Sequence, residues 1–180
     1  MVINLIQFIN YAPRGPMFRF PNPVNEHAAR IVALGVVILS VVILTTGQRW
    51  LLLPLAYGFL ARVLTGPRLS PLGLLATRVV APRLPLAPRL VPGPPKRFAQ
   101  GMGLAFSVSA AVLALGLHLD LAANIVLLGL VTAASLEAFA GICLGCRIFA
   151  VAMRLGVIPN AVCEACNDLS ARRLTHSSAS

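Results

Sequence analysis

The chain has 180 residues, of which 58% are hydrophobic and only 11% are charged. A soluble domain carries roughly a quarter charged residues, so this composition excludes a water-soluble globular protein and indicates one embedded in a bilayer. The net charge of +10 would suit a nucleic-acid partner in a soluble protein. Here the Lys and Arg residues flank apolar runs and form no basic face with interleaved aromatics, so we expect membrane lipid as partner and no nucleic acid.

Residues 1–27 form an N-terminal segment without the features of a cleaved signal peptide. Its first ten residues are apolar but lack a basic region and a small-residue cleavage site. We therefore expect this segment to stay in the cytoplasm, ahead of a first membrane helix that is its own targeting signal.

Four apolar stretches within residues 28–154 predict an all-α membrane protein with four transmembrane helices. They cover residues 28–46, 50–64, 98–118 and 121–149. Asn25 is the expected N-cap of the first helix. The second stretch is short and contains Pro54 and Gly58, which favour a kinked span over a re-entrant hairpin.

The fourth stretch is longer than a bilayer requires, because its apolar character continues to about Met153. The helix either projects into the cytoplasm or breaks. Gly141 and Gly145 are the candidate break points.

A Pro-rich central loop, residues 66–97, separates the second and third spans. It holds eight of the 14 prolines and six Lys or Arg residues, with no acid. Pro-rich chain favours an extended conformation. A short amphipathic helix around residues 72–80, with Arg78 on its polar side, would rest on the membrane surface. We predict a cytoplasmic arm held against anionic lipid, with a solvated linker as the alternative.

The basic residues predict the orientation. Fourteen of the 15 Lys and Arg residues lie on one side of the four-span arrangement, and only Arg49 lies on the other. The positive-inside rule places both termini, the central loop and the tail (residues 155–180) in the cytoplasm.

All four cysteines occur in two Cys-x-x-Cys pairs, Cys143 with Cys146 and Cys163 with Cys166. The first pair lies at the inner end of the fourth span and the second in the tail. Thiols at this spacing close a disulfide readily, and Arg147 is expected to lower the pKa of the adjacent Cys146. Sixteen residues separate the pairs, which also fits a four-cysteine zinc or iron site. The pattern favours thiol redox or sulfur handling, with a metal-stabilised interaction module or plain packing as alternatives.

Glu137 and Arg62 are the charged residues expected inside the membrane. An acid in an apolar run usually faces the bundle interior, and Arg62 lies at a similar depth and could pair with it. On an unbroken helix, Cys143 and Cys146 would lie about 120° and 180° around the axis from Glu137. They would share its face only if the helix breaks at Gly141.

The role of Glu137 stays open at this point. A structural ion pair is the simpler role, and a proton or substrate role is the alternative. A transporter for a small sulfur anion would place Glu137 along its path and would need an oligomer, because four spans form only a small conduit.

Several runs of the sequence resemble the DUF4395 family of bacterial membrane proteins. They are PNPVNE at 21–26, YGFLARVLTGP at 57–67, LSPLG at 69–73, GPPKRFAQG at 93–101, CLGCRIF at 143–149 and LGVIPNAVCEACND at 155–168. The resemblance implies a polytopic protein of a bacterial, actinobacterial inner membrane.

The function of that family is undefined. Its genes often lie near those of thioredoxin-like or sulfurtransferase proteins, which implies such a partner and thiol or sulfur chemistry at both cysteine pairs. The sequence contains no phosphate-binding glycine loop, Ser-His-Asp arrangement or dinucleotide fingerprint. We therefore do not expect a stand-alone enzyme.

Overall fold

The structure, a computed structural model, describes residues 22–83 and 89–158, and these are mostly helical. The predicted all-α class is confirmed. In chain order the elements are β1 (Val24–Asn25), α1 (Glu26–Thr46), a 3-10 turn (Arg49–Leu51), α2 (Leu52–Thr65), α3 (Pro71–Leu74) with a π-helical continuation (Leu75–Val80) and a 3-10 turn (Ala81–Arg83), β2 (Leu90–Val91), α4 (Gly93–Ala111) with a π-helical continuation (Val112–Gly116), α5 (Asp120–Ala140) and α6 (Leu144–Arg154).

Helix α1 begins at the N-cap that the sequence predicts. The Asn25 side chain accepts the backbone N–H of His27 at 3.0 Å, and Glu26 occupies the first turn, where a negative charge suits the helix dipole. The helix ends at Gly47, whose left-handed φ of 70° lets its N–H bond back to the Ile43 carbonyl.

Three helices in the described part of the chain are long and apolar enough to cross a membrane: α1, α4 with its continuation, and α5. The predicted second span corresponds to α2, which has 14 residues. That is shorter than the roughly 20 residues of a full crossing. The structure therefore supports a membrane protein with three such helices, and the fourth span stays a prediction.

Helix α4 begins at Gly93, whereas the sequence predicted a span from residue 98. The reason is that Pro94 and Pro95 occupy the first turn of the helix. Proline fits there, because the first N–H groups of a helix have no intrahelical partner. The last residues assigned to the Pro-rich loop, including Lys96, therefore belong to the helix.

The helices form an antiparallel bundle in which α1 packs along α5, α5 along α4, and α4 along α2. Its core holds large side chains such as Ile43, Leu52 and Leu127. Other large apolar side chains, including Ile38, Leu53 and Ile125, point outward and are more than half exposed. An apolar exterior of this kind suits contact with lipid.

The first half of the Pro-rich segment packs against the bundle, and its predicted contact with anionic lipid stays a prediction. The predicted helix is present and Arg78 is exposed, but Ala76 is fully buried. Leu72 occupies the space over Gly35 of α1, where an added Cβ would lie 2.4 Å from Leu72 Cδ2. Because Gly35 has no side chain, α3 can pack between α1 and α2. These two helices have few direct contacts with each other.

The two ends of the bundle differ in the polar contacts that join the helices. At the end we call the basic end, which carries Arg30, Lys96 and α6, β1 pairs with β2, and Glu26 binds Arg89 at 2.9 Å. At the opposite end, Arg49 binds Asp120 at 3.0 Å and donates to Asn124 at 2.7 Å.

Candidate functional site

The long apolar helix α5 ends in a sharp turn at Gly141. This glycine adopts a left-handed φ of 67°, and its N–H bonds to the Leu136 carbonyl. Helix α6 then starts at residue 144. Of the two predicted break points, the chain therefore breaks at Gly141, while Gly145 lies inside α6.

Arg30 of α1 stabilises this turn from a distant part of the chain. Its Nε donates to the carbonyl of Ala138 at 3.2 Å, and its Nη2 donates to the carbonyl of Phe139 at 2.9 Å. These are among the last carbonyls of α5, which have no partner within the helix and carry the negative end of its dipole. A cation from α1 thus fixes where α5 stops.

Gly145 lets α6 pack directly on α4. A Cβ at this position would lie 2.6 Å from both Cα and Cβ of Ala99. One of these atoms is backbone, so no side-chain rotation would relieve the contact. One turn further along, Phe98 and Phe149 pack with their ring centroids 5.7 Å apart. The Cys-x-x-Cys turn is therefore held against α4 by its own internal glycine.

We expect Gly145→Ala to lower the free energy of unfolding by about 1–3 kcal/mol, because the added methyl group forces α6 away from α4. The measurement is thermal unfolding of the purified protein in detergent. Gly101→Ala is the matched control, since Gly101 lies on α4 with nothing within 4 Å of an added Cβ. The control should leave the melting temperature unchanged or raise it, because alanine favours helix over glycine. Equal melting temperatures of the two variants would contradict the tight contact.

The thiols of Cys143 and Cys146 face each other at the start of α6. Cys143 is the N-cap residue, in extended conformation, and its carbonyl accepts the N–H of Arg147 at 3.1 Å. The two side chains are close enough for each thiol to shift the pKa of the other. Neither residue forms a disulfide; Cys143 is buried and Cys146 half-buried. This is a reduced dithiol in a turn where the two sulfurs are positioned to close a disulfide.

The two thiols, which lie beyond the end of α5, differ in acidity. The pKa of Cys143 is lowered, chiefly because its sulfur accepts the hydrogen bond of Cys146; Lys96 acts in the same direction, while burial and Glu137 oppose it. The pKa of Cys146 is raised, because it donates that bond and is buried. The expectation that Arg147 lowers the pKa of Cys146 is wrong, since Arg147 is exposed and the neighbouring sulfur dominates.

A largely buried ion pair joins α4 to α5 beside the thiols. Lys96 Nζ lies 2.6 Å from Glu137 Oε1, and the two side chains are 8% and 14% exposed. Both charges act on Cys143 and on Cys146. Because the chain turns at Gly141, the cysteines come close to Glu137 instead of lying on other faces of a continuous helix.

Lys96 was not among the predicted site residues, because it lies in the predicted Pro-rich loop. Arg62 was predicted instead as the partner of Glu137. The signal was available, because a Pro-Pro step is common in the first turn of a helix. Once α4 starts at Gly93, Lys96 lies one turn inside the bundle.

Arg62 is buried on α2, with different partners from the predicted one. Its Nε donates to Gln100 at 2.8 Å, its Nη1 donates to Ser70 at 3.1 Å, and its guanidinium lies 4.4 Å from the centre of the Phe59 ring. Its Nη2 is buried with no hydrogen-bond partner among the described residues. Arg62 is close enough to interact electrostatically with Glu137, but the hydrogen-bonded ion pair of that acid is with Lys96.

The second predicted pair, Cys163 and Cys166, lies outside the described residues. A four-cysteine zinc or iron site and a relay between the two pairs both require these residues, so both stay predictions. Within residues 22–83 and 89–158, no group of three or more His, Cys, Asp or Glu side chains is arranged to hold a metal ion.

Three apolar helices of membrane length, with two neighbouring cysteines and a largely buried ion pair at one end, indicate a small helical membrane protein. The chain belongs to the family described as "Domain of unknown function (DUF4395)", whose model matches residues 24–154. No curated protein and no solved structure matches it. The match includes Lys96, Glu137, Cys143 and Cys146 and ends before the second cysteine pair.

Proposed function

We propose that this protein is a thiol-redox protein of the bacterial plasma membrane, which exchanges disulfides or sulfur at Cys143 and Cys146 with a thioredoxin-like or sulfurtransferase partner. The observation that carries the proposal is the pair of neighbouring free cysteines at the N-terminus of α6. The lowered pKa of Cys143 makes it the nucleophile, and Cys146 is positioned to resolve the product.

The exchange proceeds in two steps. The Cys143 thiolate attacks one sulfur of the partner's disulfide, forms a mixed disulfide and releases the partner's first thiolate. Cys146 then loses its proton and attacks Cys143 Sγ, which closes the internal disulfide and releases the second thiolate. Two electrons thus pass from the dithiol to the partner. With a persulfide as substrate, Cys143 instead attacks the outer sulfur and releases the partner's thiolate.

The second pair extends this chemistry into a relay. Cys163 and Cys166 follow α6 in the tail, beyond the helix end at Arg154. A disulfide formed at the first pair would pass to them by the same two-step exchange, and from them to a soluble partner.

The proposed topology has four spans, with the basic end in the cytoplasm. Helix α2 supplies the fourth and shortest crossing, and the turn Arg49–Leu51 runs into it without a break. The distribution of Lys and Arg, fourteen against one, supports this orientation.

Helix α6 fits the surface of the same leaflet. Its exposed apolar side chains recur at steps of four, three and four residues and so form one stripe; they are Leu144, Ile148, Val151 and Leu155. Arg147 and Arg154 are exposed beside this stripe. Such a helix lies in the interface, with its stripe in the lipid and its arginines at anionic headgroups.

The test is alkylation of the first pair with a membrane-impermeant maleimide, in full-length protein carrying Cys163→Ser and Cys166→Ser. In inverted vesicles, Cys143 should react at a pH below that of an ordinary thiol, since its pKa is lowered, and Cys146 only at a much higher pH. Cys146→Ala should move the reaction of Cys143 to higher pH, because the hydrogen bond to its sulfur is lost. In intact cells neither thiol should react.

Two results would overturn the proposal. Thiols that stay unreactive in both reduced and oxidised vesicles would exclude the exchange, and labelling in intact cells would reverse the orientation. Stoichiometric zinc or iron in the unmodified protein, with all four thiols protected, would favour the metal module instead.

A further inference from the structure

We propose that Arg62 is the centre of a binding site for a small oxoanion, of the sulfate or phosphate type, near the basic end of the bundle. The oxoanion binds the free edge of the guanidinium, either as an inorganic ion or as the phosphate of a lipid headgroup. This inference goes beyond the proposed thiol exchange and does not depend on it.

The Arg62 side chain points away from the near end of its helix and into the bundle. A Cβ added at Gly58, one turn earlier in α2, would lie 3.3 Å from Arg62 Nη1, and Arg62 Cζ lies 4.4 Å from the centre of the Phe59 ring. An arginine that only reached for headgroups would extend the other way, past the helix end at Thr65. Arg62 is instead 4% exposed, so its charge is held inside the protein.

More than half of the hydrogen-bond donors of this buried guanidinium are unpaired. Arginine carries five N–H donors. The bonds from Nε to Gln100 and from Nη1 to Ser70 use two of them. Nη2 is buried, and none of the described residues offers it an acceptor. Leaving a buried donor unpaired is costly, and more so when the group is charged, so the Nη2 edge needs an acceptor.

The described acids do not supply that acceptor. The part of the chain that the structure describes contains three acids, and each forms its ion pair with a cation other than Arg62: Asp120 with Arg49, Glu26 with Arg89, and Glu137 with Lys96. Both hydrogen-bond partners of Arg62 are neutral side chains. A charge buried at membrane depth without a counter-charge is strongly unfavourable. An anion at the Nη2 edge removes this cost.

Lys96 adds a second buried cation to the same polar layer. Gln100, which binds Arg62, follows Lys96 by four residues on α4, so the two lie on one face of that helix, about 6 Å apart along its axis. Arg62, Lys96 and Glu137 together carry two positive charges and one negative charge. An oxoanion fits better than a halide, because parallel N–H donors of a guanidinium pair with two oxygens at once.

The glycine beside the guanidinium provides room for a ligand. Gly58 is buried, yet apart from its own helical turn a Cβ added there would have only Arg62 Nη1 within 4 Å among the described residues. Arg62 lies three residues before the helix end at Thr65, so the site is less than one turn from the basic end. Because Nη2 is closed to water, entry requires a shift of the connection between α2 and α3, which carries Ser70.

The test is the binding of radiolabelled sulfate to the full-length protein, stripped of phospholipid in a maltoside detergent and measured by equilibrium dialysis. Sulfate is the probe because it neither oxidises nor reduces the thiols. We expect saturable binding that inorganic phosphate competes for. Sulfate should also raise the melting temperature, whereas chloride at the same ionic strength should not, because only a ligand of the folded state stabilises it by mass action.

Variants at the site separate the guanidinium from general positive charge. Arg62→Gln should abolish sulfate binding, and Arg62→Lys should weaken it, because lysine cannot present parallel donors. Gly58→Ala should weaken binding about tenfold, because the methyl group occupies the space beside Nη1. This variant keeps a good helix former in α2, so it decides the matter if the Arg62 variants do not fold. Arg78→Gln, which removes an exposed cation, is the matched control and should bind sulfate normally.

The two sources of the oxoanion are distinguished by adding phosphatidylglycerol to the micelles. Displacement of sulfate by the lipid identifies a headgroup as the ligand, and unchanged sulfate binding identifies an inorganic anion; both results support the site.

Three results would overturn the inference. The first is wild-type protein that binds no sulfate in a saturable manner, and the second is folded Arg62→Gln or Gly58→Ala that binds it as the wild type does. The third is sulfate binding that appears only after Glu164→Gln and Asp168→Asn, because a carboxylate of the tail would then be the partner of Arg62.

Discussion

Replacing Lys96 with methionine is expected to lower the free energy of unfolding by about 3–5 kcal/mol, the cost of leaving a buried charge without its partner. Lys96 donates to Glu137 at 2.6 Å, and both side chains are largely buried. Methionine fills much of the same space, so the loss reflects charge more than packing. Unfolding in mixed micelles with increasing denaturing detergent measures the effect.

A double-mutant cycle separates the cost of leaving Glu137 without its partner from the other effects of Lys96→Met on stability. Glu137→Gln added to Lys96→Met removes the stranded carboxylate and should recover most of the lost stability. Arg97→Met is the neighbouring control, because Arg97 is exposed and, among the residues that the structure describes, donates only to the Val63 carbonyl, at 3.1 Å. Its effect should stay below about 1 kcal/mol. Similar losses for Lys96→Met and Arg97→Met would contradict a special role for the ion pair.

The membrane helices could be predicted from the sequence, because a helix that crosses the hydrocarbon core needs about 20 apolar residues and few charged ones. Helix α1 follows its predicted span closely, and its Asn25 cap is a local signal. Helix α5 begins at Asp120, next to the predicted start at residue 121. The predicted start of α4 lies too late in the chain, because Pro94 and Pro95 suggest a loop. Proline is also common in the first turn of a helix, which is where these two residues lie.

The site could be predicted only in part, because tertiary contacts decide it. Gly141 and Gly145 were equivalent break points in the sequence. Arg30, more than 100 positions earlier, selects Gly141 by binding the end of α5, while Ala99 holds Gly145 inside a packed helix. Likewise, the acidity of Cys146 follows from the orientation of Cys143 and not from the adjacent Arg147.

The sequence predicts α2 as a membrane span, but the helix has only 14 residues. A substitution where α2 packs against α4 is expected to have the second large effect on stability. Gly103 of α4 lies under Phe59 of α2, where an added Cβ would be 2.1 Å from Phe59 Cε1. Arg62 covers the Phe59 ring at 4.4 Å and so restricts its movement. Ser107 and Ala110, fully buried further along α4, belong to the same small-residue face. Small residues of this kind let membrane helices approach closely.

Gly103→Leu is therefore expected to destabilise the protein by about 3 kcal/mol, at the upper end of overpacking effects. Gly101→Leu, two residues earlier with nothing within 4 Å of an added Cβ, should change the unfolding free energy little. Adding Phe59→Ala to Gly103→Leu vacates the space and should recover part of the loss.

Equal stability of Gly103→Leu and Gly101→Leu would mean that α2 does not pack against α4 at this depth. Gly103 lies ten residues after Gly93, the first residue of α4. This is about 15 Å along the helix axis, roughly half the thickness of the hydrocarbon core. Tight packing at that level requires α2 to lie deep beside a membrane-length helix, as a fourth crossing would. The same three variants therefore test both the interface and the premise on which the fourth span depends.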